Sequence, residues 1–334
     1  MWRKLLIVGS VLALAFLALP SQAAILAGEL QAAGEKASLS PSAWSSGWVP
    51  LTLGNSLTLP HGLGGDPLEY ATQLWFRDTN DGYGINTRAY GGIESAGERY
   101  GAYWSKLTNA DVVVSRFGWD PYADELRMLI WFPDKAPDYC SPWTAIAAGA
   151  SQVFAHNLSG NPLDYAVGLW FKGPTAYGIN QEFFGGNEDT GNNYGAWWHN
   201  LTDSTVTVDR AANDPVASEV RVCVTIADPP SYDSGWVDIN AGETKTLLHN
   251  LGNPMDRYVV RMEFKDADPS GLGIHLQNVG GNAIASLWSG AAWQNLTTSA
   301  IGIYRYADDE RTDQVRLRIW KSTISLYLPL VLRK

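Results

Sequence analysis

Three histidines stand at matching places along the chain and are the first candidates for chemistry. Each opens a short turn phrase and follows a tryptophan by thirteen residues; they are His61, His156 and His249. A neutral imidazole can ligate a metal or act as a general base. A metal site needs further ligands at suitable spacing, and nearby cysteines or histidine pairs are missing from the sequence. We therefore expect these histidines to tie their turns to the backbone, with no metal and no cofactor.

Arginines recur at a second repeated position, each at the end of a predicted strand; they are Arg116, Arg210 and Arg305. A guanidinium presents five donors in a planar fork, which suits a carboxylate or the hydroxyls of a sugar. The acidic loop that follows each strand offers a second role, an ion pair with Asp124, Asp214 or Asp309. The sequence favours the ion pair. Because sugar binding remains the alternative role, the three arginines are also candidate ligand-binding residues.

Trp75 and Trp170 are equivalent in the repeated pattern and lie on the strand face opposite the predicted core, where the third copy has Glu263. An indole on that face stacks on a sugar ring or packs against a neighbouring repeat, and repeat packing is the commoner outcome. Both tryptophans are therefore candidate ligand-binding residues with a structural alternative.

Sequence signatures of catalysis are absent. The chain has no G-x-S-x-G nucleophile elbow, no HExxH zinc motif and no Walker phosphate loop. Its carboxylate pairs do not recur beside a fixed aromatic cleft, as glycoside hydrolysis would require. Triplication favours weak binding sites, which gain avidity when they are linked. We expect a protein that is not an enzyme and has no catalytic residues.

The elements that position these residues occur three times. The copies begin near Trp48, Trp143 and Trp236, and apolar residues alternate within each copy, as in Leu74 and Phe76. This period of two indicates about six or seven short strands per copy. The predicted fold is all-β, with three tandem small antiparallel β-sandwich domains after a signal peptide. The predicted segments are a signal peptide (1–23), a linker (24–43), repeat 1 (44–136), repeat 2 (137–229), repeat 3 (230–323) and an apolar tail (324–334).

Charge and composition limit the partners. The chain carries 24 Lys and Arg against 34 Asp and Glu, a net charge of −10, and 46% of its residues are hydrophobic. A nucleic-acid-binding protein needs a basic surface, so nucleic acid is excluded as the expected partner. The hydrophobic content is sufficient for buried cores.

The first residues have the pattern of a secretory signal peptide. Arg3 and Lys4 precede an uncharged apolar run at 5–19, and small residues precede a cleavage point after Ala23. Fifteen residues are fewer than the ~20 that span a bilayer. We expect a secreted, extracellular protein. The tail at 324–334 either attaches it to the cell surface or docks as an edge strand.

The two cysteines are expected to form a disulfide. Cys140 lies just before Trp143 at the start of repeat 2, and Cys223 lies in the closing strand of the same repeat. The first and last strands of a small sandwich lie close together, and export provides an oxidising compartment. Cys140 and Cys223 therefore form the one expected pair.

The repeated phrases resemble a known family. A leading Trp, a turn ending in Pro, an Asn-Leu-Thr phrase and a closing V-x-L-x-I-W strand are similar to the H-type lectin fold. That family consists of six-stranded sandwiches that trimerise and bind sugars such as N-acetylgalactosamine at their oligomeric edges. The Gly-rich sections after Tyr83 and Tyr177 depart from the family pattern, so its sugar-contact residues are not transferred.

Two functions follow as expectations. The first is a secreted, non-catalytic protein that binds glycans or cell-surface polymers through three lectin-like repeats, as a homo-oligomer or as a pseudo-trimer within one chain. The alternative is a structural surface or filament protein whose outward tryptophans join repeats to one another. The exposure of Trp75 and Trp170 in the folded chain distinguishes them.

Overall fold

A computed structural model describes residues 43–95, 97–174, 176–189, 192–252, 255–284 and 287–321 of the chain. The predicted signal peptide, most of the predicted linker and the apolar tail at 324–334 lie outside these residues. Ala43, which the sequence assigned to the linker, begins the first strand. The described residues belong to one compact unit that starts there.

Alternating apolar residues form antiparallel strands throughout, and the predicted all-β fold is confirmed. Repeat 1 contains β1 (Ala43–Ser45), β2 (Val49–Pro50), β3 (Ser56–Pro60), β4 (Ala71–Arg77), β5 (Ile85–Asn86), β6 (Ile93–Ser95), β7 (Glu98–Tyr100), β8 (Ala102–Ser105), β9 (Asp111–Arg116) and β10 (Glu125–Trp131). Repeat 2 contains β11 (Tyr139–Cys140), β12 (Thr144–Ala145), β13 (Ser151–Ala155), β14 (Tyr165–Lys172), β15 (Ile179–Asn180), β16 (Asn187–Asp189), β17 (Asn192–Tyr194), β18 (Ala196–His199), β19 (Thr205–Arg210) and β20 (Glu219–Ile226). Repeat 3 contains β21 (Tyr232–Asp238), β22 (Thr244–Leu248), β23 (Tyr258–Lys265), β24 (Ile274–His275), β25 (Asn282–Ile284), β26 (Leu287–Ser289), β27 (Ala291–Gln294), β28 (Ala300–Arg305) and β29 (Gln314–Lys321).

Each repeat has more strands than the six or seven expected, because strands of two or three residues add to the long ones. The helical elements in the described ranges are three short 3-10 turns, at Pro67–Glu69, Pro162–Asp164 and Met255–Arg257. Each of them leads directly into the central long strand of its repeat, β4, β14 or β23.

Each repeat packs two main sheets around its own core. In repeat 1 the larger sheet runs β1–β10–β4–β5, with β2 also paired to β10, and the smaller sheet runs β3–β9–β8. Leu74 and Phe76 of the first sheet share one buried cluster with Trp104 and Val114 of the second. Alternating residues from two antiparallel sheets thus close a sandwich core. The corresponding sheets are β11–β20–β14–β15 and β13–β19–β18 in repeat 2, and β21–β29–β23–β24 and β22–β28–β27 in repeat 3.

The three repeated histidines hold their turns as the sequence predicts. In each repeat the ring Nδ1 accepts a hydrogen bond from the backbone N–H two residues later, at 3.2 Å for His61, 3.4 Å for His156 and 3.2 Å for His249. Burial lowers the pKa of all three imidazoles. A lowered pKa favours the neutral imidazole, and a neutral imidazole can accept a hydrogen bond at Nδ1.

The predicted disulfide between Cys140 and Cys223 is confirmed. The two residues lie directly opposite each other on β11 and β20, with their Cα atoms 4.1 Å apart. The same cross-strand position holds Ser45 and Leu129 in repeat 1. The bridge therefore joins the first and last strands of repeat 2, β11 and β20.

Backbone hydrogen bonds link the repeats in a closed cycle. Lys106 N of repeat 1 donates to a carbonyl of repeat 2, Asn200 N of repeat 2 to repeat 3, and Asn295 N of repeat 3 to repeat 1. The acceptors and distances are Tyr177 O at 3.0 Å, Leu272 O at 2.9 Å and Tyr83 O at 2.9 Å. The predicted repeat boundaries, near 137 and 230, fall in the connections β10–β11 and β20–β21. Each repeat consequently contacts both others at equivalent positions, and three equivalent inter-repeat positions arise.

Candidate functional site

The recurrent arginines form ion pairs within their own repeats. Each Nε donates to the aspartate four residues later, in the pairs Arg116–Asp120 at 2.9 Å, Arg210–Asp214 at 2.9 Å and Arg305–Asp309 at 2.8 Å. Each Nη1 donates to a backbone carbonyl, and each Nη2 to the carbonyl of the paired aspartate. The acidic-loop ion pair is therefore present in every repeat, with Asp120 as well as Asp124 on Arg116. These guanidinium groups fix the loop, and a ligand-binding role for them stays a prediction.

The outward tryptophans face neighbouring repeats. Trp75 has 0% of its surface exposed, and its indole meets Trp293 of repeat 3 edge to face, with ring centres 5.9 Å apart. Trp170 packs against the core cluster of repeat 1 and lines a cavity between the repeats. The sequence left two roles open for Trp75, sugar stacking and repeat packing. In the structure, Trp75 packs against a neighbouring repeat. A ligand-binding role for Trp170 stays a prediction.

Aromatic and cationic side chains fill two of the three equivalent inter-repeat positions. Between repeats 1 and 2, Phe117 stacks on Phe183, with ring centres 6.3 Å apart. Between repeats 3 and 1, Tyr304 and Tyr306 pack against the guanidinium of Arg88 at 4.7 and 5.0 Å. Large side chains thus close both positions.

The third position, between repeats 2 and 3, is open. Ala211 stands where the other repeats have Phe117 and Tyr306, so the large ring is replaced by a methyl group. A cleft of about 570 Å³ results. We call it the 2–3 cleft; its lining includes Trp197, Asp209, Ala211, Gln277, Asn278, Glu310 and Arg311. A cleft of this size accommodates a small organic ligand.

Gly186 leaves room for the indole of Trp197 in the cleft. Gly186 has a φ of +91°, and a Cβ atom there would lie 2.9 Å from the ring of Trp197. The equivalent glycines, Gly92 and Gly281, are covered instead by Phe117 and Tyr306. Because Ala211 leaves this surface free in repeat 2, the indole of Trp197 lies over it.

Trp197 and Asp209 are directly opposite on β18 and β19 and share one face of the sheet. His199 Nε2 lies 3.1 Å from Asp209 Oδ1. Burial acts to raise the pKa of Asp209, but the His199 and Ser151 side chains beside the carboxylate outweigh it and lower the pKa. The carboxylate is therefore ionised at neutral pH and presents acceptors beside the indole.

Three buried polar atoms of the cleft residues have no hydrogen-bond partner among the described residues. They are the indole Nε1 of Trp197, the amide Oε1 of Gln277 and the carboxylate Oδ1 of Asp209. A buried donor or acceptor without a partner costs about 1–3 kcal/mol. A ligand that carries both donors and acceptors would satisfy these three atoms. The cleft combines these atoms with one aromatic face, which is the chemistry that a sugar requires.

The sequence reasoning did not identify this site. Trp197 was not singled out, because its neighbour Trp198 is the repeated core tryptophan and only the latter recurs in all three copies. A signal was available in the repeat alignment, where a small residue, Ala211, replaces an aromatic one. Of the predicted site residues, Arg210 borders the 2–3 cleft.

Within the described ranges, no cluster of three or more His, Cys, Asp or Glu side chains is arranged to hold a metal ion. No helix in those ranges is both long and apolar enough to cross a membrane. Comparison of the chain with protein-family models, with curated proteins and with solved structures found no match.

Proposed function

We propose that the protein is a non-catalytic carbohydrate-binding protein and that the 2–3 cleft is its binding site. The observation that carries the proposal is the indole of Trp197 beside the carboxylate of Asp209 in an open, polar cleft. Sugars present apolar C–H faces, which stack on an aromatic ring, and hydroxyl groups, which pair with acceptors and donors.

The cleft also offers planar polar groups for several hydroxyls. Gln277, Asn278 and Arg311 come from repeat 3 and face Asp209 of repeat 2. The ligand would therefore contact two repeats, and its binding would depend on their arrangement. The resemblance to H-type lectins supports this location, because that family binds sugars at the edges between subunits.

Because two of the three equivalent inter-repeat positions are filled, each chain has one such cleft among the three. Phe117 and Tyr306 occupy the space that Ala211 leaves free. Avidity would then require several chains on one surface rather than three sites in one chain. The predicted signal peptide and the disulfide support secretion, since disulfides persist in oxidising compartments.

The test is a glycan array with the mature chain, followed by calorimetry on the best ligand. Ala211→Phe restores the side chain that repeat 1 has at this position, so it should fold and close the cleft. We expect at least a tenfold loss of affinity. Trp119→Ala removes an indole that is 61% exposed and does not line the cleft, and it should bind as the wild type does.

The proposal fails if no glycan binds, or if Ala211→Phe binds as tightly as the wild type. Loss of assembly in Trp170→Ala, together with no glycan binding, would instead favour the structural surface protein. In that case the outward tryptophans act only between repeats or chains.

A further inference from the structure

A second cavity, of about 220 Å³, lies among the outer faces of β4, β14 and β23, one strand from each repeat. At one level these strands carry Gln73, Gly168 and Arg261 in equivalent positions. Gln73 Nε2 donates to Val260 O at 2.7 Å, and Arg261 Nη1 donates to Val167 O at 3.2 Å. Gly168 contributes no side chain, and the indole of Trp170 forms the wall on that side. We call this space the central cavity.

Two arginines, Arg261 and Arg318, share one buried carboxylate, that of Glu263, which also lines the cavity. Arg318 pairs with Glu263, and Glu69, at the rim of the cavity, interacts with Arg221. Arg261 makes no ion pair with any described residue; its guanidinium has the one hydrogen bond to a carbonyl. Burial and the nearby Arg318 lower the pKa of Arg261 to about 10, against the opposing effect of Glu263. It therefore remains a cation at neutral pH, and an anion in the cavity would neutralise it.

The other walls present an aromatic ring and polar atoms. The indole of Trp170 lies over Gly168, where an added Cβ atom would be 3.1 Å from the ring. Gln73 Oε1 and Thr87 Oγ1 are buried and have no hydrogen-bond partner among the described residues. Both residues line the cavity. They can accept hydrogen bonds from ligand hydroxyls, which chloride and sulfate lack.

Volume limits the ligand further. The central cavity is smaller than the 300–1,000 Å³ typical of pockets for drug-sized ligands and corresponds to roughly seven water molecules. A single small ring with a carboxylate is compatible with this space.

We propose that the central cavity is a second binding site, for a small hydroxylated carboxylate such as a sugar acid. The ligand carboxylate pairs with Arg261, its hydroxyls donate to Gln73 and Thr87, and its ring lies beside Trp170. This site is separate from the 2–3 cleft and does not depend on the function proposed for that cleft.

The experiment titrates the purified mature chain with D-glucuronate and, as the neutral match, D-glucose. Intrinsic tryptophan fluorescence and the thermal midpoint report binding. We expect a response to glucuronate and none to glucose from this site. Arg261→Gln installs the residue of repeat 1 and should weaken glucuronate binding at least tenfold, since a charge-assisted pair is lost. Arg257→Gln changes an exposed arginine of the same repeat and should bind as the wild type does.

A second variant protects the test against misfolding. Thr87→Val removes a hydroxyl that makes no hydrogen bond, at nearly constant volume, and should weaken binding by roughly threefold or more. Ala211→Phe should leave glucuronate binding unchanged, which separates this site from the 2–3 cleft. The proposal is overturned if the wild type shows no response to glucuronate, or if Arg261→Gln and Thr87→Val both bind it normally. It is also overturned if Ala211→Phe abolishes the binding.

Discussion

The guanidinium of Arg88 in repeat 1 lies 4.7 Å from the ring centre of Tyr304 in repeat 3, although the two residues are far apart in the chain. Tyr83, Tyr122 and Tyr306 complete an aromatic enclosure around the same cation. This contact closes the cycle between the last repeat and the first. It therefore holds together two segments that no short connection joins.

Arg88→Ala should destabilise the chain by about 2–4 kcal/mol, because it removes a buried cation from four aromatic rings and a hydrogen bond to Gln294. Urea unfolding followed by fluorescence measures the change. Arg257→Ala, at an exposed arginine, should alter the free energy of unfolding by less than about 0.5 kcal/mol. Equal effects of the two substitutions would contradict a role of Arg88 in closing the cycle.

The disulfide should matter chiefly for stability. Cys140 and Cys223 are separated by 83 residues, and the chain-entropy model gives about 4–5 kcal/mol for closing such a loop. Cys140→Ala combined with Cys223→Ala should lower the free energy of unfolding by that order. Thiol titration of the denatured, unreduced wild type should find no free thiol. Two thiols per chain would refute the bridge.

Glu182 should make stability depend on pH. Burial between repeats 1 and 2 raises its pKa from 4.5 to about 7, against the opposing effect of Arg99. The native state therefore binds a proton that the unfolded state releases, and stability falls as pH rises from about 4.5 to 7. The loss amounts to about 3 kcal/mol.

The matched variant is Glu182→Gln, which carries the residue that repeat 3 has at this place, Gln277. Chemical denaturation at pH 5 and pH 8 should show a larger decrease for the wild type than for the variant. Identical decreases in both proteins would mean that Glu182 titrates normally.

Trp75 and Trp119 should respond differently to substitution by alanine. Trp75 is fully buried against Trp293, so Trp75→Ala should cost about 3–5 kcal/mol through the cavity that it leaves. Trp119 is 61% exposed, so Trp119→Ala should change stability by no more than about 0.5 kcal/mol. A small effect at Trp75 would show that repeats 1 and 3 do not pack as described.

Features that depend on local or periodic information were accessible from the sequence. The alternation of Leu74 and Phe76 predicted strands because a sheet has one buried face. The turn after His61 was predictable because its hydrogen bond spans only two residues. The partnership of Cys140 and Cys223 followed from their places in the first and last strands of one repeat.

The candidate site depended on contacts between repeats, which no local pattern encodes. Alternation placed Trp75 and Trp170 on the outer face of their strands, but only the arrangement of the three repeats decides that this face is covered. Likewise, Ala211 is an ordinary small residue in its own strand region. It opens a cleft because Phe117 and Tyr306 fill the equivalent positions and because repeat 3 presents Gln277 across from it. Burial and open space are properties of surfaces that meet in three dimensions, so the tertiary structure alone determines them.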